Sequence, residues 1–99
     1  MKAIDLQELL KWDEERLSYT LLDIRSEEEF ENQHIPRARH IPLDQVDENL
    51  SSIDISNPVI TICGKGGGRS LEAAQFLREK GYEAYFLDGG NSAYFRDHQ

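Results

Sequence analysis

Ninety-nine residues, 38 % of them apolar, fit one globular domain with a real core but not two. Nineteen acidic against eleven basic side chains give a formal net charge of −8, which argues against nucleic acid and anionic membrane surfaces as partners. No apolar run approaches the ~18–20 residues of a membrane span, the Met1-Lys2-Ala3-Ile4-Asp5 start is not a signal peptide, and a single cysteine leaves no internal disulfide, so the expected location is cytoplasmic.

A short apolar stretch opens the chain and leads into a helix start. Asp5 as N-cap with Glu8 makes a capping box, and Ile4 with Leu9 is placed as a hydrophobic staple. Leu6, Leu9 and Leu10 then form one face at helical spacing, with Lys11, Glu14 and Glu15 outside it. Thr20, Leu21, Leu22, Asp23 and Ile24 read as a buried strand, followed by Arg25 and Ser26. Ser26 with Glu29 is a second capping box, and Glu27 and Glu28 favour the positive end of that short helix. Phe30 is its expected core contact, and the acidic cluster from Glu27 to Glu31 reads as a solvated face. Pro36 and Pro42 bracket a segment too punctuated for a helix, expected as loop plus a short strand. Asp44 is expected to cap a helix running to about Leu50, with Val46 and Leu50 inward.

Val59, Ile60, Thr61 and Ile62 form a β-prone run that ends on Cys63, the only cysteine. Gly64, Lys65, Gly66, Gly67, Gly68, Arg69 and Ser70 follow, and from Ser70 the pattern is helical to about Lys80. Leu71, Ala73, Ala74, Phe76 and Leu77 cover one side of that helix, and Gly81 stands as its C′ stop. A strand, a tight loop and a helix start is where an α/β protein keeps its chemistry. Glycines permit the positive φ angles of a curled loop whose N–H groups converge on one point, in this chain the sulfur of Cys63. A helix N-terminus is worth roughly 0.3–1 kcal/mol to a nearby negative charge. Lys65 and Arg69 add two cations, so the setting favours thiolate over thiol. The usual fate of a lone cysteine is burial as a small apolar residue. That fate does not explain three glycines and two cations directly after it, and a nucleophile is the expectation.

Residues 83–87 read as the last strand, ending in Asp88, Gly89 and Gly90, with a terminal helix from Asn91 or Ser92. Strands alternating with helices imply a parallel or mostly parallel sheet covered on both faces. Neither nucleotide motif fits: no Ser or Thr follows Lys65, and Arg69 stands where a dinucleotide fingerprint needs its last glycine. His34, His40, His98 and Cys63 lack metal-ligand spacing, so no metal or other cofactor is expected, and His34 reads as a hydrogen-bonded turn residue.

These residues resemble a known family. Leu21-Leu22-Asp23-Ile24-Arg25, the stretch from Phe30 to Pro42, and residues 59–90 look like a single-domain rhodanese, with its LLDVR strand, E-(F/Y) helix, GHIPGA turn, cysteine loop ending in RS and late L-x-GG. The resemblance covers nearly the whole chain, with the motifs in the family's order. It implies a rhodanese-like three-layer α/β sandwich with a five-stranded mostly parallel sheet, residues 1–99 forming a single domain. The implied activity is sulfane-sulfur transfer through a Cys63 persulfide, from thiosulfate or a similar donor to a thiol, cyanide or a protein acceptor. Gly64, Lys65, Gly66, Gly67, Gly68, Arg69 and Ser70 would bind substrate, and Asp23 and Arg25 would brace the loop by hydrogen bonds and ion pairing.

Two departures stand out. Gln33 and Arg37 replace the glycines of the family's turn, and five residues rather than four separate Cys63 from Arg69. Five is the spacing of fold relatives resembling dual-specificity phosphatases and arsenate reductases, which usually carry His before the cysteine where this chain has Ile62. A phosphatase or arsenate reductase is therefore the second expectation, and a non-turnover persulfide carrier or binding module the third.

Overall fold

The structure, a computed structural model, describes residues 3–97. Met1, Lys2, His98 and Gln99 lie outside the described residues, and with them the reading of His98 as no metal ligand. Strands β1 (Ala3–Ile4), β2 (Thr20–Asp23), β3 (Arg39–His40), β4 (Val59–Ile62) and β5 (Ala84–Leu87) form one sheet in the order β1-β5-β4-β2-β3. Every neighbouring pair is parallel. Strand β4 is central, and all four of its residues are buried. A parallel strand covered on both faces needs a continuous apolar run, and Val59-Ile60-Thr61-Ile62 supplies one.

The period of two along a strand divides the core in two. Leu21, Ile60 and Ile62 face one cluster with Leu6 and Leu9 of helix α1 (Leu6–Glu14), with Tyr94 and Phe95 of helix α4 (Gly90–Asp97) packed against it. Leu22 and Val59 face the other, with Ala73, Ala74 and Leu77 of helix α3 (Arg69–Glu79). The result is helix, sheet, helix, the α/β sandwich expected from the sequence. Among the described residues no helix is long and apolar enough to cross a membrane.

Local signals hold at several points. Asp5 accepts from the Glu8 N–H at 2.8 Å, and Ser26 with Glu29 closes a full capping box on helix α2 (Glu27–Asn32). Gly81, at φ 95°, follows the end of α3. Three expectations need correction. Leu10 lies on the exposed side of α1 at 42 % exposure, not in the core. Phe30 is only half-buried, stacked between the His34 and His40 rings at centroid distances of 3.9 and 4.4 Å. Residues 43–52 form two 3-10 turns, Leu43–Gln45 and Asp47–Ser52, instead of one α-helix, and Asp44 makes no cap bond. Tyr82 donates to the carbonyls of Leu50 and Ile53 at 2.8 and 3.0 Å and Arg39 to that of Ser52, so the acceptors at the end of this segment are satisfied from outside it.

Candidate active site

The carboxyl ends of β2, β4 and β5 bring Asp23, Cys63 and Asp88 to the same end of the sheet, the end where an open parallel sheet usually binds its ligand. Cys63 directly follows β4 and is only 5 % exposed. Its Sγ lies 3.1 Å from the Gly67 carbonyl oxygen and 3.1 Å from Ser70 Oγ. The sulfur's partners are thus a carbonyl and a hydroxyl, where the sequence led us to expect converging amides. Ser70 is fully buried in the first turn of α3, donates to the same Gly67 carbonyl at 3.0 Å, and accepts at its own carbonyl from Thr61 Oγ1 at 2.7 Å. These bonds tie the far end of the loop back to the strand it left.

The loop rests on the turn between β5 and α4. Gly66 has φ 81°, and a Cβ there would come within 2.5 Å of the Gly89 nitrogen and 2.8 Å of the Leu87 oxygen. From the other side, the Asn91 N–H donates to the Cys63 carbonyl at 2.8 Å and the Ser92 N–H to that of Gly64 at 2.9 Å. The first turn of a helix has N–H groups without partners inside the helix, and α4 uses two of them to hold the cysteine's backbone.

The two loop cations differ. Lys65 is exposed and makes no ion pair among the described residues. Arg69, the first residue of α3, is paired with Glu29 of α2 through two parallel bonds, 2.7 Å to Oε1 and 3.0 Å to Oε2. Its guanidinium still reaches the loop, with Nη2 about 4.0 Å from where a Gly64 Cβ would stand. The Arg69 hydrogen bonds, helped by those of Ser26 and opposed by burial, pull the Glu29 carboxyl down to about 2, and the Glu29 bonds raise Arg69 further. The sequence reading had Glu29 as a helix cap and solvated face. Nothing in the local pattern couples it to a residue 40 positions away.

Asp23 is fully buried and Arg25 is 5 % exposed. Arg25 donates to Asp23 through Nε at 2.9 Å and Nη2 at 2.8 Å, and Nη2 also reaches the Gln33 carbonyl at 2.7 Å. That carbonyl accepts from Asn91 Nδ2 at 3.3 Å as well. These contacts connect the ion pair to the cysteine loop through Asn91, one residue removed, where direct hydrogen bonds to the loop were expected. Asn91 is the functional neighbour that the sequence reading missed. His34 Nδ1 pairs with the Phe30 carbonyl at 2.8 Å and His40 Nε2 with that of Arg25 at 2.8 Å, so each is a hydrogen-bonded structural ring. Among the described residues no group of three or more His, Cys, Asp or Glu side chains could hold a metal ion. Beside Arg69 lies an open concavity of about 390 Å³ lined by Ile24, Arg25, Pro42, Leu43, Asp44 and Glu72, among others.

The Rhodanese-like domain family matches residues 3–97. The chain is 32 % identical over 89 residues to the Bacillus subtilis protein named "Putative sulfurtransferase YtwF", covering 90 % of this chain and 82 % of that one. Among solved structures, a rhodanese-like domain protein from Staphylococcus aureus superposes with a TM-score of 0.83 at 32 % identity, covering 91 % of this chain and 87 % of its own. Reduced CoADR-RHD of Bacillus anthracis superposes with a TM-score of 0.84 at 28 % identity, over 95 % of this chain and only 16 % of that longer one.

Proposed function

The chain belongs to the rhodanese-like domain family, and on that premise we propose that it is a sulfurtransferase carrying sulfane sulfur from thiosulfate or a similar donor to a thiol or cyanide as a persulfide on Cys63. The observation that carries this reading is the setting of the only thiol. It stands at the end of the central strand, under a glycine loop, with the Arg69 guanidinium at the loop's mouth. The Cys63 thiolate attacks the outer sulfur of the donor, and the donor's S–S bond breaks with its electron pair leaving on sulfite. A nucleophilic acceptor then removes the outer sulfur and returns the thiolate. Sulfite is a stable leaving anion, so the step needs no general acid. Arg69, Lys65 and the N-terminus of α3 favour negative charge at both stages. Ser70 holds the sulfur in place, and Asn91, backed by Arg25 and Asp23, holds the cysteine's carbonyl. A lone thiol used in this way suits the reducing cytoplasm.

The five-residue spacing between Cys63 and Arg69 supports a second reading, phosphate ester or arsenate chemistry at the same cysteine. Ile62 before the cysteine weighs against it, because relatives with that spacing usually carry His there. Intact mass after thiosulfate treatment tests both. A gain of one sulfur, removed by cyanide and absent in Cys63→Ser, is the expected result. Efficient hydrolysis of p-nitrophenyl phosphate without any sulfur uptake would reverse the order, and loading that requires a protein partner would point to a carrier.

A further inference from the structure

Two arginines hold left-handed backbone positions that ordinarily go to glycine. Arg16, at φ 59°, follows the C-cap of α1, where the Leu17 N–H donates to the Trp12 carbonyl at 3.0 Å and closes the helix. Arg37, at φ 72°, is the third residue of a turn that the Ala38 N–H closes on the Ile35 carbonyl at 3.1 Å, with Pro36 second. The family's turn has glycine at that position. Each is a strained place for a side chain, and strain kept at two points is a pointer to a use. Both residues line one concavity of about 420 Å³, with Asp13, Leu17, Tyr19 and Asn57 among its other walls. Residues 16–19 lead into β2, Arg37 into β3 and Asn57 into β4. The concavity therefore lies at the amino end of the parallel sheet, the end opposite the cysteine loop.

Its charge is the reverse of the protein's. The chain carries a net −8, yet two guanidiniums and a single carboxylate line this concavity. Asp13 accepts from the Tyr19 hydroxyl and stands 3.6 Å from Arg37, a loose pair whose arginine side chain is 72 % exposed. Arg16 has no ion pair among the described residues. The volume is that of a small-molecule site, and Leu17 and Tyr19 give it an apolar wall. We propose that this concavity is a second binding site, separate from Cys63, for a small organic phosphate. The phosphate is held by the forks of Arg16 and Arg37, and the apolar body rests against Leu17 and Tyr19. A phosphate monoester has three terminal oxygens and can occupy two guanidinium forks, whereas one fork already takes both oxygens of a carboxylate.

Benzylphosphonate probes the site without an ester bond that Cys63 could cleave, and phenylacetate presents the same apolar body on a carboxylate. Titrated into the whole isotope-labelled chain, benzylphosphonate should shift the backbone amide resonances of residues 16–19, 37–38 and 57. It should bind about tenfold more tightly than phenylacetate, since it engages a second charged fork. Arg16→Gly and Arg37→Gly should each weaken it about tenfold or more. Their thermal midpoints should stay level or rise, because glycine adopts the left-handed backbone without strain. Amide shifts that are absent, or confined to residues 63–70, would overturn the proposal, the second because the phosphonate then enters only the cysteine loop. Equal affinity for the two probes, or unchanged affinity in either glycine variant, overturns it as well. So does a clear fall in both midpoints, which would mean that the two arginines are kept for stability and not for a ligand.

Discussion

Gly90→Ala is the perturbation that separates the support of the cysteine loop from its chemistry. Gly90 sits at φ 56° and is buried. A Cβ there would run into the Cys63 carbonyl oxygen and come within 2.7 Å of the Gly66 nitrogen and 3.0 Å of the Gly64 carbonyl carbon. All three are backbone atoms of the loop and cannot rotate aside. The turn and the loop must separate, which breaks the Asn91 N–H bond to the Cys63 carbonyl and the Ser92 N–H bond to that of Gly64. Two hydrogen bonds at about 0.5–1.5 kcal/mol each, with a left-handed residue at about 1–2 kcal/mol, give a loss of about 2–5 kcal/mol. In a chain of this size that lowers the thermal midpoint by about 10–30 °C. A displacement of the sulfur by about 1 Å costs on the order of 100-fold in rate, so sulfur transfer should fall at least that far in the fraction that remains folded.

Gly81→Ala is the matched control. Gly81 also has positive φ, at 95°, but its Cβ would meet only Ile55 Cδ1, at an ordinary 3.7 Å. It should show the strain alone, about 1–2 kcal/mol, with activity kept. Urea melts and thiosulfate:cyanide turnover on both variants supply the comparison. Equal destabilisation in the two, with activity intact in Gly90→Ala, would refute the idea that the β5–α4 turn supports the loop by close approach.

Further outcomes follow from other contacts. Cys63→Ser should abolish sulfur uptake and cyanide-dependent turnover, while the urea midpoint moves little because the oxygen can keep the Gly67 and Ser70 partners; residual turnover in the purified variant would falsify the nucleophile assignment. Arg25→Leu leaves Asp23 buried without its counter-charge and should cost about 3–5 kcal/mol in a urea melt, with a Gln33 carbonyl partner lost as well. Glu29, with its carboxyl lowered to about 2 from 4.5, contributes stability that is fully present above pH 4.5 and is lost as the pH falls towards 2. Its side chain is 38 % exposed, so solvent screening reduces this to about 1 kcal/mol. Melts at pH 7 and pH 3 should therefore show less acid sensitivity in Glu29→Gln than in the parent by somewhat more than half of that amount, about 0.6 kcal/mol, and identical acid sensitivity would contradict the pairing.

The sequence was most legible where the signal is periodic or chemically unusual. The apolar run of β4, the amphipathic pattern of α3, the Ser26 capping box and the Gly81 stop all translate directly into the structure. Less legible were features decided by partners distant in the chain. Residues 43–52 form 3-10 turns whose last carbonyls are bonded by Tyr82 and Arg39. Phe30 is drawn into a stack with His34 and His40, and Arg69 is claimed by Glu29. Asn91 gives no local sign of its two roles, because both depend on α4 beginning directly beneath the cysteine.

Loop spacing shows the same division. Counting residues from Cys63 to Arg69 gives five and suggests a wide cradle. Width, however, depends on where the backbone turns, and a count does not contain the sign of φ. In this loop Gly66, Gly67 and Gly68 are all left-handed, at φ 81°, 89° and 48°. Three such residues in succession curl the chain inward. Gly66 is pressed against the β5–α4 turn, and the Gly67 carbonyl is carried to 3.1 Å from the sulfur. The additional residue is taken up in the curl, and Cys63 remains 5 % exposed. Five residues with fewer glycines could not follow this path without several side chains in the left-handed region, at about 1–2 kcal/mol each. The glycine count, more than the spacing, is thus the sequence feature that reports on the size of this site.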